Sequence, residues 1–399
     1  MPVIVWKNSL YRLALPFWGL RVKGHAQSGD TSIEEKDLRQ LETIFRRHHV
    51  VGGCLQLIKN GSLGPLITYG YSRLPNEMVT AGTVFRAASI TKMVTAVGAM
   101  MLNEKGILDL QAPVETYLPF SVRNPRFQDV PILVKHLLSH TSGLCDGPGY
   151  EQALRSPVPL STLVADPLNY LNAAPGQAFR YSNLAAGMVG SLMENATGRS
   201  LEELMQKMVF EPLGIKCTYT LKNLPGLKHA AHIYRVMPAG DGHPLFDAEK
   251  RYETADDLHE PSPEYHYLPA AGNLFADAAT LGKFACMMLK GGSPLLSGES
   301  ISKMQTPVAS YGKNAPHAWH CLGLVAVDDP ALHAGRLYGH QGFAYGAAEG
   351  VFYEKSTGNG FVFLNNGASE ARRGHLALVN RDLIQWALSP DGGAAWMKS

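Results

Sequence analysis

The segment Phe85-Arg86-Ala87-Ala88-Ser89-Ile90-Thr91-Lys92 places a serine and a lysine three residues apart at the head of an apolar helical run. Residues i and i+3 share a helix face, so the Lys92 amine comes within reach of the Ser89 hydroxyl. A serine hydroxyl alone attacks a carbonyl poorly, whereas a desolvated, partly neutral amine beside it can take its proton. Ser300 with Lys303 and Ser310 with Lys313 repeat the spelling. Context separates them. Ser89 follows the extended run Thr83-Val84-Phe85-Arg86 and leads a stripe of Ile90, Met93, Val94, Val97 and Met101, while the other two pairs lie in polar segments that read as a surface helix end or a loop.

Two further segments carry related chemistry. Pro175-Gly176 is a turn that leads through a short extended piece to Tyr181-Ser182-Asn183, just before a helix expected over 184–195. A tyrosine beside a cationic lysine loses its proton more readily than at its usual pKa of about 10, which suits Tyr181 to act as base and later as acid. Tyr170-Leu171-Asn172 has the same spelling without the turn. His340-Gln341-Gly342-Phe343 reads as strand, where a glycine admits close backbone approach to a ligand and the next amide can point at a carbonyl oxygen. His333-Ala334-Gly335 repeats that pattern in a loop. Taken singly, each motif also fits a structural role: a capping serine, a core tyrosine, a strand-end histidine with a bulge glycine.

Other chemistries find less support. His136 and His140 have the i, i+4 spacing of a metal pair, yet Leu137, Leu138 and Ser139 between them supply no acid or base, and Thr141-Ser142-Gly143 ends the helix. No metal and no cofactor are expected. Five cysteines, Cys54, Cys145, Cys217, Cys286 and Cys321, stand singly in apolar stretches and predict buried free thiols. A net charge of +2 with mixed signs, and no basic run interleaved with aromatics, excludes a nucleic-acid partner.

The elements that must position these residues follow from periodicity. With 399 residues, 45% of them hydrophobic, the chain can bury a large core in one domain or two packed lobes. Ser32-Ile33-Glu34-Glu35 has the capping-box pattern of a helix that buries Leu38, Leu41, Ile44 and Phe45. Val50 to Ile58, Asn60-Gly61 and Leu66 to Tyr71 read as a hairpin. The Ser89 helix stops at Lys105-Gly106. From Pro113 to Lys222 the pattern is mainly helical, and Leu224 to Pro269 is loop-rich. A helix burying Leu281, Phe284, Ala285 and Met288 follows, then a strand meander from Leu337 to Leu364 and a closing helix from Ala371 to Leu388. The order predicts an α+β fold, an α/β sandwich whose antiparallel sheet takes strands from both chain ends and is flanked by helices, with a mainly helical second lobe over about 113–269.

Together these segments resemble the serine beta-lactamase and penicillin-binding-protein superfamily, in its class C-like branch of esterases, D-aminopeptidases, DD-carboxypeptidases and acyltransferases. Phe85 to Lys92 matches the nucleophile motif, Val134 to Leu144 an architectural helix and turn, and Pro175-Gly176 with Tyr181-Ser182-Asn183 the second catalytic motif. Glu211-Pro212-Leu213-Gly214-Ile215 and Pro269 to Leu274 match later segments in the same order. The resemblance implies that Ser89 is the acylated nucleophile, Lys92 its activator and Tyr181 the proton shuttle. It also implies that Asn183 holds Lys92 or a substrate amide, and that the amides of Ser89 and Phe343, beside His340 and Gly342, form an oxyanion hole.

One departure directs the expected substrate. Many beta-lactamases and transpeptidases of this superfamily carry Lys-Thr-Gly where this chain has His340-Gln341-Gly342, and neutral histidine is a weaker carboxylate anchor. The resemblance therefore implies a serine hydrolase of small esters, peptides, D-amino-acid amides or cell-wall-related molecules. A beta-lactamase or DD-carboxypeptidase is the first alternative, and a binding or sensor homologue without turnover the second. Arg372 and Arg373 read either as a replacement charge or as a solvated helix face.

Residues 1–30 read as an N-terminal extension, 31–390 as the hydrolase domain and 391–399 as a tail. Residues 3–18 are apolar but interrupted by Lys7, Arg12 and Pro16, which leaves a cleavable signal and a peripheral membrane-surface segment both open. The resemblance implies an extracytoplasmic setting; the poor signal leaves a cytoplasmic one open. The sequence does not specify an oligomeric state.

Overall fold

The computed structural model describes residues 22–154, 158–220, 230–234, 236, 244–246, 267–344 and 346–388. Residues 3–18, the tail 391–399 and most of the loop-rich 224–269 lie outside them. Nine strands form one antiparallel row: β1 (Ala26–Ser28), β2 (Gly52–Lys59), β3 (Ser62–Arg73), β4 (Ala309–Ser310), β5 (Ala318–His320), β6 (Val325–Val327), β7 (Leu337–Ala344), β8 (Ala347–Glu354) and β9 (Asn359–Asn365). Their order is β1-β3-β2-β9-β8-β7-β6-β5-β4, with the short strand Glu77–Met78 attached to β3. The pairing of β2 with β9 joins the two chain ends, Gly360 opposite Ile58 and Asn365 opposite Gly53. Edge strand β1 pairs with β3 and lies before residue 31, so the sheet takes in part of the expected extension.

Alternation along the central strands makes this a sandwich. Cys54 and Ile58 of β2, Val351 and Tyr353 of β8, and Val362 and Leu364 of β9 join one core. Leu55, Leu57, Phe352, Phe361 and Phe363 point into the other. The first core is covered by α2 (Thr91–Glu104), α3 (Asn183–Thr197) and α4 (Ala278–Leu289), the second by α1 (Glu35–Arg47) and α5 (Leu378–Leu388). Between Val114 and Leu213 every described element is helical.

Local signals set most boundaries. The hairpin turns at Asn60 and Gly61, both at positive φ (51° and 69°), the conformation an Asn-Gly pair tolerates best. Helix α3 is capped by Ser182, whose hydroxyl accepts from the Ala185 N–H, and ends at Gly198 in the left-handed region. Two expected boundaries move. Helix α1 starts at Glu35 without a side-chain cap, because the Ser32 hydroxyl instead donates to Asp30 Oδ1 at 2.6 Å. The closing helix starts at Leu378 rather than Ala371, since Gly374 at φ +62° turns Arg372–Arg373 back onto Leu376–Ala377 as a small hairpin. Cys145 is only partly buried, unlike the other four free cysteines.

Candidate active site

Ser89 sits on an elbow. The strand Phe85–Arg86 pairs with Phe275–Ala276, and the chain then turns through Ala88 at φ +42°, a conformation costing an L-residue about 1–2 kcal/mol, into the short helical turn Ala88–Ile90 that feeds α2. Three contacts hold the turn: Ala87 N–H donates to Leu274 O at 2.8 Å, Thr91 Oγ1 donates to Ala88 O at 2.5 Å, and Leu274 N–H donates to Thr91 Oγ1 at 3.1 Å.

The Lys92 amine is buried beneath the elbow. It reaches Ser89 Oγ at 3.0 Å, Asn183 Oδ1 at 2.8 Å and the Ala271 carbonyl at 2.6 Å. Burial pulls its pKa from 10.5 down to about 7; the negative charge of Asp146 opposes the fall and Arg86 adds to it. At neutral pH a large share of this amine is therefore unprotonated. The rival spellings do nothing of the kind: Ser300 Oγ donates to Glu104 at 2.5 Å while Lys303 pairs with Glu299, and Ser310 Oγ accepts from Gly312 N–H.

Tyr181 lies beside the pair, its ring centroid 5.0 Å from Lys92 Nζ, with its hydroxyl hydrogen-bonded to Ser89. Its pKa moves opposite to the direction expected from the sequence. Burial raises it strongly, against smaller lowering by the Ser89 hydrogen bond and Arg372. The expectation assumed a fully cationic Lys92, whereas the desolvated amine carries much less charge. Tyr181 rests as a neutral phenol.

A wall of imidazoles backs this phenol. His140 lies tilted against it at 4.4 Å between ring centroids and His340 lies at 6.4 Å, while His320 sits 4.5 Å from His140 and 6.2 Å from His340. Burial holds all three neutral, pushing His140 and His320 well below 6.5 and His340 to about 3. His340 Nδ1–H donates to Gln341 O at 2.7 Å. His140 and His136 serve different backbone partners: His140 Nδ1 accepts the Ser182 N–H at 3.2 Å, whereas His136 Nδ1 accepts the Leu133 N–H at 3.2 Å.

Strand β7 closes the site. A Cβ built on Gly342 would fall 2.8 Å from Glu349 Oε2, 2.9 Å from Ala87 O and 3.1 Å from Ala88 Cβ, so only glycine lets this strand lie against the elbow. Two of those contacts are on the elbow itself and cannot move without it. Gly342→Ala should therefore lower kcat at least tenfold, with little change in the far core, a result checked by turnover together with circular dichroism. Glu349, across from Gly342, is wholly buried and held protonated by desolvation. Beside Gly342, Phe343 carries the Arg372 guanidinium over its ring at 3.5 Å from the centroid, whereas Arg373 is exposed.

Sequence reasoning named Ser89, Lys92, Tyr181, Asn183, His340, Gly342 and Phe343, and the fold brings them into one neighbourhood. It missed Asp146, which caps α3 by accepting from Ser182 Oγ and Leu184 N–H, and the acceptor role of Ala271 O. It also missed His320. The one available signal for Asp146 was an acid closely following the Val134 to Leu144 segment.

The class these features define is the serine hydrolases. The beta-lactamase family model matches residues 35–385, and the chain belongs to that family. Esterase EstB of Burkholderia gladioli is 26% identical over 390 residues, covering 86% of this chain and 94% of the relative. The D-alanyl-D-alanine-carboxypeptidase/endopeptidase AmpH of Escherichia coli (strain K12) is 32% identical over 190 residues, 46% of this chain and 49% of the relative. Among solved structures, the octameric penicillin-binding protein homologue from Pyrococcus abyssi superposes with a TM-score of 0.72 at 25% identity, covering 91% of this chain and 80% of that one.

Proposed function

We propose that the chain hydrolyses small esters or D-amino-acid amides through a covalent ester on Ser89. The observation that carries this reading is the buried amine of Lys92, near half-neutral at pH 7 and 3.0 Å from the Ser89 hydroxyl. Lys92 takes the hydroxyl proton as Ser89 Oγ attacks the substrate carbonyl carbon. The amides of Ser89 and Phe343 receive the oxyanion. As the tetrahedral intermediate collapses, the Tyr181 phenol gives its proton to the leaving oxygen or nitrogen and regains one from Lys92. Water then attacks the acyl-enzyme by the reverse sequence, releasing the acid and free Ser89.

Likeness to esterase EstB over nearly the whole of both chains supports the ester reading. The neutral His340 supports it too, since no cation stands at that position to hold a carboxylate. A second reading, carboxypeptidase action on a peptide with a free carboxylate, is favoured by Arg372 over Phe343 and by the AmpH likeness. Turnover of short-chain p-nitrophenyl esters, D- and L-aminoacyl amides, nitrocefin and a D-Ala-D-Ala peptide separates the two. On the leading reading esters or D-amides are the best substrates and Arg372→Ala changes their KM less than about threefold. A KM rise of tenfold or more for the D-Ala-D-Ala peptide alone, about 1.4 kcal/mol, would instead assign Arg372 to a carboxylate.

A further inference from the structure

Two of the Lys92 acceptors cannot themselves give a proton, Ala271 O at 2.6 Å and Asn183 Oδ1 at 2.8 Å. A neutral amine has two hydrogens and one lone pair, so these acceptors use both hydrogens and leave the lone pair for the Ser89 hydroxyl. That holds only while Asn183 presents its oxygen to Lys92. An amide turned end for end is nearly the same shape, so a partner must select the orientation. Asp146 is that partner. A carboxylate only accepts, and Asp146 Oδ2 takes both the Asn183 backbone N–H at 3.0 Å and the Asn183 side-chain N–H at 2.9 Å. Its Oδ1 is fixed by Ser182 Oγ at 2.8 Å and Leu184 N–H at 3.0 Å. A turned Asn183 would set its carbonyl oxygen against a carboxylate and offer an N–H to the amine's lone pair, taking it from Ser89.

We propose that Asp146 is a positioning residue of the reaction, acting through Asn183 to fix the acceptors of the Lys92 amine and so aim its lone pair at Ser89. This rests on the reading of Lys92 as the base. The carboxylate also acts through space: it favours the protonated amine, against burial and Arg86. The other titratable groups around Lys92 are Tyr181, a neutral phenol, and His140, His320 and His340, all neutral well below the amine's range. Removing the Asp146 charge therefore lowers the Lys92 pKa.

The rate of fluorophosphonate labelling of the full chain against pH tests this without a known substrate. In wild type the rate rises through an acid limb near pH 7, set by loss of the Lys92 proton. Asp146→Asn should lower the plateau roughly 10- to 100-fold while moving the limb about half a pH unit or more toward acid. Asp146→Glu, which keeps the charge, should hold the limb in place. Ser182→Ala, which removes the helix cap and one of the two donors to Asp146 Oδ1 but keeps the carboxylate charge, should lower Tm without moving the limb. Asp146→Ser keeps a capping oxygen without the charge and gives the same readout if the Asn variant folds poorly. A purely structural Asp146 would lower the plateau or Tm with the limb unmoved, and that result overturns the proposal. A wild-type profile lacking the limb would instead remove Lys92 as base, and the role of Asp146 with it.

Discussion

Lys92→Met should lower kcat/KM about 10³- to 10⁴-fold while leaving the protein folded and, at neutral pH, at least as stable as wild type. The catalytic loss follows from removing the one base hydrogen-bonded to Ser89. The stability gain follows from burial. The wild-type chain holds at 4% exposure an amine whose folded pKa, about 7, lies far below its ordinary 10.5. Between those values the unfolded chain binds a proton that the folded chain does not, so wild-type stability rises with pH across that window. It is lowest well below pH 7, where the buried charge is carried in full. Replacing Lys92 by methionine removes this dependence, so the variant's advantage in Tm should be larger at pH 6 than at pH 9. Thermal melts at the two pH values, with turnover on one ester, check both halves. Retained turnover would transfer the base to another group, and a variant less stable at pH 6 would contradict the cost assigned to the buried amine.

Tyr181→Phe should be most damaging for substrates that need their leaving group protonated. For an amide the loss of the phenol proton should lower kcat about 10²- to 10⁴-fold. For a p-nitrophenyl ester, whose leaving group departs as a stable anion, the loss should be tenfold or less. The contrast follows from the raised pKa of Tyr181, which makes it a proton donor in the resting site. An equal loss on both substrates would point to Tyr181 as a base, the first of the two roles the sequence suggested. Parallel steady-state rates on a matched amide and ester of one acyl group decide the matter.

The difference between the two accounts of Tyr181 shows where sequence reading reaches its limit. Signals that act within a few residues were legible: Asn60-Gly61 at the hairpin, Lys105-Gly106 after the nucleophile helix, and the alternation that sends Phe361 and Phe363 to one face of the sheet and Val362 and Leu364 to the other. The Ser89 and Lys92 contact was legible for the same reason, being set by helical spacing and a strand-to-helix junction. Asp146 was not, because its partner Asn183 is 37 residues away across a chain reversal. Nor was the imidazole wall, where His140, His320 and His340 come from three separate segments and burial, helped by Lys92 and by one another, keeps them neutral. The charge state of Tyr181 belongs to that group, since desolvation is a property of the assembled site. Gly374, by contrast, was visible in the sequence but was read inside a helix that its positive φ excludes.

Intact-protein mass after reaction with a fluorophosphonate, followed by peptide mapping, tests the central claim most directly. Wild-type protein should gain one phosphonyl adduct, mapped to Ser89, at a rate that rises through pH 7, and Ser89→Ala should gain none. Labelling at Ser300, Ser310 or any other residue, or equal labelling of Ser89→Ala, would contradict Ser89 as the nucleophile.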